Sequence, residues 1–321
     1  MNVKTNIQHY AEKACSFWGG CIDTPKLIKN RENAVFDVTL KGNKRGALRL
    51  HRPGYKSIKE IKSEIWWVKS LAKEGFPVPM PILNEDGDYV VEVSSALTAT
   101  FIQWIDGKPI GKEEGPGLIA GLEIDYELGR LIGKLHDITR KLSFPDWFSR
   151  PKWDIDGLLG NDPHWGKFWE GEHLNESEKK TLFLVRKKAR EILAHYLNQD
   201  GEILLIHADI IGENVFKTKK GLSIIDFDDC GYGFPIYDLA TSTIQSLGQV
   251  GYQKRCDQLL EGYNTVRPLQ NVDIKLFPVF AMLRVLATSA WIIPRASKND
   301  PKVAIYKNNA IKEANKFLNN Y

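Results

Sequence analysis

The chain has 321 residues, 43% of them hydrophobic, which allows one large or two modest domains with a sizeable core. Its net charge of +4 is mild. It suggests at most a basic groove for phosphate and gives no case for a nucleic-acid binder, which needs clustered Lys and Arg. Four cysteines, Cys15, Cys21, Cys230 and Cys256, show no paired metal spacing. With no signal peptide they read as reduced structural thiols of a cytoplasmic protein. The longest apolar run, Ala281 to Ile293, contains Arg284 and is too short to span a bilayer, so no membrane partner is expected. Nothing in the sequence fixes an oligomeric state.

In chain order, residues 8–18 read as a helix. Val35, Phe36 and Val38, then Ala47, Leu48 and Leu50, form two strand-like runs joined by a Lys41-Gly42-Asn43 turn. Between Ile28 and Val35, Lys29 to Ala34 reads as a glycine-free loop. Ser57-Ile58-Lys59-Glu60 is a capping box that opens a helix. Its apolar stripe is Ile58, Ile61, Ile65, Val68 and Ala72, and Gly75 ends it. Pro77, Pro79 and Pro81 form a stiff connector into a second hairpin with Asp86-Gly87 at its turn. A strand over 99–105 completes a small antiparallel sheet, so a first domain runs to about residue 105, before the linker Asp106-Gly107-Lys108-Pro109. The second domain, 106–321, reads as mostly helical, with helices over about 123–138, 176–197, 236–248, 252–263 and 273–293. Strands at 203–206 and 222–226 lie between them.

Those two strands carry the chemistry. The first runs into His207-Ala208-Asp209-Ile210-Ile211-Gly212-Glu213-Asn214, an H-x-D-x-x-x-x-N pattern. The second delivers Asp226 in Ile225-Asp226-Phe227-Asp228. Asp209 can accept the proton of an attacking hydroxyl, and Asn214 and Asp226 can hold the magnesium that neutralises ATP phosphates. H-x-D alone is more often a local hydrogen-bonded turn. Strand, loop, hairpin and carboxylate in that order are much harder to obtain by chance.

The blocks HADIIGENVF and IIDFDDCGYGFPIYDLA resemble the aminoglycoside phosphotransferase and choline kinase superfamily, which shares the protein-kinase-like fold, and so do RENAVFDV, ALRLHRPGY and EIKSEIWWVKSL near the amino terminus. GYNTVRPL and FAMLRVLATSAWIIPR are most similar to the branch with the stress-response Ser/Thr kinases and type II homoserine-kinase-like proteins. The resemblance implies a bilobal α+β fold. Its N-lobe is a small antiparallel sheet with one main helix, its C-lobe is larger and mainly helical, and a cleft lies between them.

It also implies ATP and Mg2+ as cofactors and a role for each matching residue. Asp209 matches the catalytic base, His207 the brace of its loop, and Asn214 and Asp226 the magnesium ligands. Asp238 matches an acid that accepts from the catalytic-loop backbone; a helix cap is the equal alternative. Glu64 matches the helix carboxylate that pairs with the phosphate-binding cation, against a solvated surface Glu. Arg49 stands where that cation is expected as Lys; a forked, always charged Arg can still clamp phosphate with different geometry. Asn33 belongs to the loop that would cover the phosphates, or to a mere surface turn. Gln103 to Ile105 would be the hinge that meets adenine through its backbone.

The acceptor site is expected beside Asp209, with Asp229, Tyr232, Trp153, Asp154, Arg284 and Trp291 as candidates, together with Trp165 and Trp169. Aromatics with acids can cage a cationic acceptor, although they serve more often as core. Arg284 within an apolar helix suggests either a buried ion pair or a clamp for an acceptor carboxylate. The leading reading is an ATP-dependent kinase for a small hydroxylated molecule, aminoglycoside-, choline- or homoserine-like. A Ser/Thr protein kinase is the runner-up, although Asp228 to Tyr237 leaves little room for an activation segment. A nucleotide-binding pseudokinase module is the third.

Overall fold

The computed structural model describes residues 3–31, 33–111, 121–199, 201–297 and 299–321. Its elements begin with α1 (Val3–Ser16), β1 (Lys26–Asn30), β2 (Ala34–Leu40), β3 (Lys44–Leu50), α2 (Ile58–Lys73), β4 (Val90–Ser94), β5 (Leu97–Gln103) and β6 (Gly107–Pro109). Next come α3 (Leu122–Lys141), β7 (Lys152–Trp153), α4 (Ile155–Leu159), α5 (Glu176–Gln199), β8 (Leu204–Ile206), β9 (Val215–Thr218), β10 (Gly221–Ile224) and β11 (Gly231–Gly233). The chain closes with α6 (Pro235–Thr243), α7 (Tyr252–Asn264), α8 (Asn271–Ile292) and α9 (Pro301–Asn320). They group into two lobes, one from the described residues of 1–108, 142–150 and 217–228, the other from those of 109–141, 151–216 and 229–321.

The first lobe is an antiparallel sheet ordered β1-β2-β3-β5-β4 with α1 and α2. Alternation along β2 buries Ala34, Phe36, Val38 and Leu40, which pack with Leu48, Leu50, Val91, Ala99 and Phe101 and with Ala11, Ala14 and Trp18 from the α1 side. The capping box forms as the sequence implies: Glu60 N–H donates to Ser57 Oγ (3.2 Å) and Ser57 N–H to Glu60 Oε2 (2.8 Å). Ile61, Ile65, Val68 and Leu71 of α2 are buried, whereas Ile58 is 40% exposed, so the apolar stripe starts one turn later than the pattern suggested.

Two local expectations are corrected. Lys26–Asn30, read partly as loop, is a strand paired with β2; Glu32 of that loop lies outside the described residues. Asp86-Gly87 does form a turn, closed by Gly87 N–H to Asn84 O (3.3 Å), but it precedes β4. The hairpin itself is β4–β5, with Ser94 opposite Leu97. The proline-rich connector touches β5 only as a bridge between Pro81 and Ile102, because proline has no N–H to extend a ladder.

In the second lobe α3 and α7 pack backbone to backbone. A Cβ on Gly129 would sit 1.9 Å from Leu259 O, and one on Gly262 would sit 2.0 Å from Tyr126 O. No other residue fits at either position. α4 and α9 add to the helices read from the sequence, and α6 is shorter than expected, ending in a 3₁₀ turn at Ile244–Ser246. α8 is 22 residues long and apolar enough to cross a bilayer by length and composition, longer than its uninterrupted apolar run implied. It is a core helix here, buried on nearly all sides from Leu276 to Ile292 and packed against α6 and α9. The cysteines are free thiols, and burial together with neighbouring Cys21 pushes the Cys15 thiol up to about 12.

Candidate active site

Strand β8 delivers the His207–Asn214 loop in the second lobe. Asp238, within α6, holds its start: Oδ2 accepts from His207 N–H (2.9 Å) and Oδ1 from Ala208 N–H (2.7 Å). The helix cap position is Phe234, so the loop-bracing alternative describes Asp238 and the cap does not. Sequence reasoning missed the residue behind it. His136 Nε2 lies 3.0 Å from Asp238 Oδ2, and its Nδ1 lies 3.0 Å from Tyr263 OH. Burial pulls the His136 pKa below its ordinary value, against the upward pull of Asp238. A neutral ring satisfies both partners, donating from Nε2 and accepting at Nδ1. A His within the apolar stripe of α3 (Leu128, Ile132, Leu135) was the available signal.

The bracing holds strained backbone. Among the described residues the non-glycine positions with positive φ are Asn43, Ala208 (66°) and Asp226 (64°). Asn43 is in a hairpin turn; the other two are in the H-x-D and Asp226 motifs, and such strain persists only where surroundings enforce it. Gly212 is needed for proximity: a Cβ there would lie 2.7 Å from the Gly111 Cα, and its N–H donates to Gln245 Oε1 (2.9 Å).

Asp209 is held from two sides. Arg284 Nη2 lies 2.6 Å from its Oδ1, and Asn214 Nδ2 donates to its Oδ2 (2.9 Å) and to its carbonyl (2.9 Å). The Asp209 N–H donates to His207 Nδ1 (3.2 Å), a local contact within the loop. Arg284 is thus the buried ion pair of its two readings. Burial alone would lower its pKa, but the Asp209 charge and Tyr237 raise it, so the guanidinium stays charged.

The first lobe makes a matching arrangement around Arg49. Its Nη1 lies 2.7 Å from Glu64 Oε1 and its Nη2 lies 3.1 Å from Asp226 Oδ1. Glu64 is 4% exposed, which removes the surface reading. Burial works against the Arg49 charge, but Glu64, Asp226 and Asp228 together raise its pKa. Arg150, which the sequence reading passed over, steadies the same motif: Nη2 donates to Asp228 O and Nη1 to Glu60 O (3.0 Å), tying α2 to the Asp226 turn. Trp67 packs edge-on against Phe227 at 5.2 Å.

The other nucleotide candidates are spread along this lobe. Asn33 Oδ1 accepts from Arg52 N–H (3.2 Å). The Gln103 N–H donates to Met80 O (2.8 Å), so that amide is already engaged, and Ile105 follows β5, half-buried. Among the described residues no cluster of three His, Cys, Asp or Glu side chains could hold a metal. Asn214 points its amide nitrogen at Asp209, which leaves its Oδ1 as an oxygen donor, and Asp226 offers a carboxylate in the first lobe; magnesium takes one or two such protein oxygens together with phosphate and water.

The acceptor candidates fall into two groups. Trp153 is fully buried, stacks on Tyr237 at 5.7 Å and donates Nε1–H to Asp229 O (2.8 Å), and Asp154 caps α4. Trp169 carries the Arg186 guanidinium over its ring at 4.1 Å and lines a concavity of about 650 Å3 that includes no residue of the catalytic loop. Trp291 is covered by Arg295 at 4.7 Å. Trp153 is thus packed core, and the concavity at Trp169 is separate from the catalytic loop. Closer to Asp209, Trp165 lies under Arg284 (4.5 Å) and meets Trp153 at 4.9 Å. Asp229 is 3.9 Å from His164 Nε2, and Tyr232 is half-buried, which raises its pKa.

An antiparallel lobe with one capped helix and a mainly helical lobe bearing an H-x-D-x-x-x-x-N loop define a kinase-type phosphotransferase fold. A profile of the phosphotransferase enzyme family matches residues 25–268, and the chain belongs to that family. It is 25% identical over 230 residues to the amicoumacin kinase of Bacillus subtilis (strain 168), covering 71% of this chain and 65% of that one. It is 26% identical over 223 residues to the homoserine kinase of Agrobacterium fabrum, covering 67% of this chain and 62% of that one. The match therefore spans less than two thirds of either relative. Among solved structures, a microcompartment-associated aminopropanol kinase aligns over 97% of this chain and 98% of its own, with a TM-score of 0.84 and 25% identity. ATP with magnesium is typical of the superfamily.

Proposed function

We propose that the protein transfers the γ-phosphoryl group of ATP to the hydroxyl of a small amino alcohol. The observation that supports this most is the Asp209 carboxylate, 18% exposed and held at both oxygens by Arg284 and Asn214. Asp209 takes the hydroxyl proton as the acceptor oxygen bonds to phosphorus and the bond to the ADP oxygen breaks. Arg49, kept charged by Glu64, neutralises phosphate. Asn214 and Asp226 are the residues that would hold magnesium, which neutralises the phosphates and the charge developing on the leaving oxygen.

Charge favours an amine as the rest of the acceptor. The homoserine-like acceptor draws on Arg284 as a carboxylate clamp, but Arg284 is paired with Asp209. Asp229, 3.9 Å from His164, is the acid assigned to meet an ammonium group. The likeness to an aminopropanol kinase agrees with this preference. The test is a comparison of kcat/KM for 1-amino-2-propanol, ethanolamine, choline and homoserine with Mg-ATP. An amino alcohol without a carboxylate is expected to exceed homoserine by at least about tenfold, a difference of about 1.4 kcal/mol in transition-state binding. Homoserine as the best acceptor would overturn the assignment.

A further inference from the structure

Arg284 is the one charged side chain in the otherwise apolar stretch of α8 from Leu276 to Ile292, and it is 4% exposed. Taking a guanidinium out of water costs several kcal/mol, and a well-packed apolar residue is often as stable there. Its placement is specific. Nη2 meets Asp209 Oδ1 at 2.6 Å, Nη1 lies 3.3 Å from the carbonyl of Ala208, the residue with φ of 66°, and the Trp165 ring covers the guanidinium at 4.5 Å. The two arms of the fork span the peptide before the base and the base itself. Arg284 thus meets one carboxylate oxygen while Asn214 meets the other.

We propose that Arg284 is a positioning residue for phosphoryl transfer: it fixes the orientation of the Asp209 carboxylate toward the acceptor hydroxyl, and Trp165 holds the guanidinium in that pose. This rests on Asp209 being the proton acceptor. A fork is required because one ammonium point cannot span Asp209 Oδ1 and Ala208 O with the same geometry. Arg284 contacts Asp209 and the Ala208 carbonyl, and it acts through Asp209.

The test uses the full chain and five proteins: wild type, Arg284→Met, Arg284→Lys, Asp209→Asn, and Arg284→Met combined with Asp209→Asn. Arg284→Met is expected to lower kcat about 100-fold while the KM for ATP changes less than about threefold, the pattern of an interaction made in the transition state. Arg284→Lys, which keeps the charge and the buried stem, is expected to recover about a tenfold part of the loss. In the Asp209→Asn background, Arg284→Met is expected to cost less than about twofold more, because the carboxylate that Arg284 orients is gone. Wild-type turnover with Arg284→Met folded and equally active would overturn this inference alone, as would losses that multiply in the double variant. If both Arg284 single variants lose only thermal stability and the folded fraction turns over normally, Arg284 is structural and the inference is wrong. A wild type that transfers phosphate to no acceptor overturns the kinase reading, and this inference with it.

Discussion

Arg49 Nη1 and Glu64 Oε1 form a 2.7 Å ion pair that is nearly closed to solvent, and the second arm of Arg49 reaches Asp226 at 3.1 Å. One guanidinium thus joins β3, α2 and the Asp226 turn. A lysine presents a single charged point and would hold one of the two carboxylates well.

Arg49→Lys is therefore expected to raise the KM for ATP by about tenfold with a smaller change in kcat, read from initial rates at saturating acceptor. Arg49→Met leaves Glu64 charged and buried, and is expected to lower stability by about 3 kcal/mol in denaturant unfolding. Unchanged stability in Arg49→Met would contradict the pairing.

Asp238 carries more of the second lobe than its place in α6 suggests. It accepts from two loop amides and meets His136. Asp238→Ala strands those donors in a buried site and is expected to cost about 3 kcal/mol. Loss of the loop conformation is expected to show as reduced kcat in the fraction that stays folded. A stability change under about 0.5 kcal/mol would rule out the bracing role.

Gly212 meets the Gly111 backbone where a Cβ has no room. Gly212→Ala is expected to displace the loop that carries Asp209 and to lower kcat by about tenfold or more, because small misplacements of reacting groups are costly. Gly221, with open space around its Cβ position and a φ of 111°, offers a comparison in which only local backbone strain is added. Equal kinetic effects at the two sites would remove the packing argument.

Stability is expected to decline as pH falls below about 6.5, the ordinary histidine value. Two buried imidazoles drive this. Burial, then the charges of Arg49 and Arg150, hold His51 well below its ordinary pKa, and burial holds His136 below it as well. In the unfolded chain both take up protons near pH 6.5 while the folded protein does not. Their contribution is therefore complete above that pH and is lost as pH falls toward the folded values. Each gives a slope of up to about 1.4 kcal/mol per pH unit. Chemical denaturation between pH 8 and pH 5 checks this; replacing His136 by Gln should flatten the slope.

The catalytic loop, the Asp226 motif, the capped α2 and the hairpin at Asn43 were legible because each is written in a few adjacent residues. β1 was hard to see because Lys26–Asn30 is an edge strand, largely exposed and marked by lysines in place of apolar alternation. The links that organise the site are long-range: Arg284 to Asp209 spans 75 positions and His136 to Asp238 spans 102. A single sequence records no such pairing. Arg284 stood out as an unusual charge in an apolar helix, yet its partner did not. The aromatic stretch from Trp153 to Trp169 was ambiguous for a different reason, since a cage and a packed core require the same residue types, and only burial separates them.

The most direct measurement is transfer of labelled γ-phosphate from ATP to an amino alcohol by purified wild type and Asp209→Asn, each with and without magnesium. The account predicts transfer by wild type with magnesium, none without it, and a rate about 100- to 10,000-fold lower in Asp209→Asn at unchanged folding. Asp209→Asn turning over at the wild-type rate, with an acceptor that wild type clearly phosphorylates, would contradict the assignment of Asp209 as the proton acceptor.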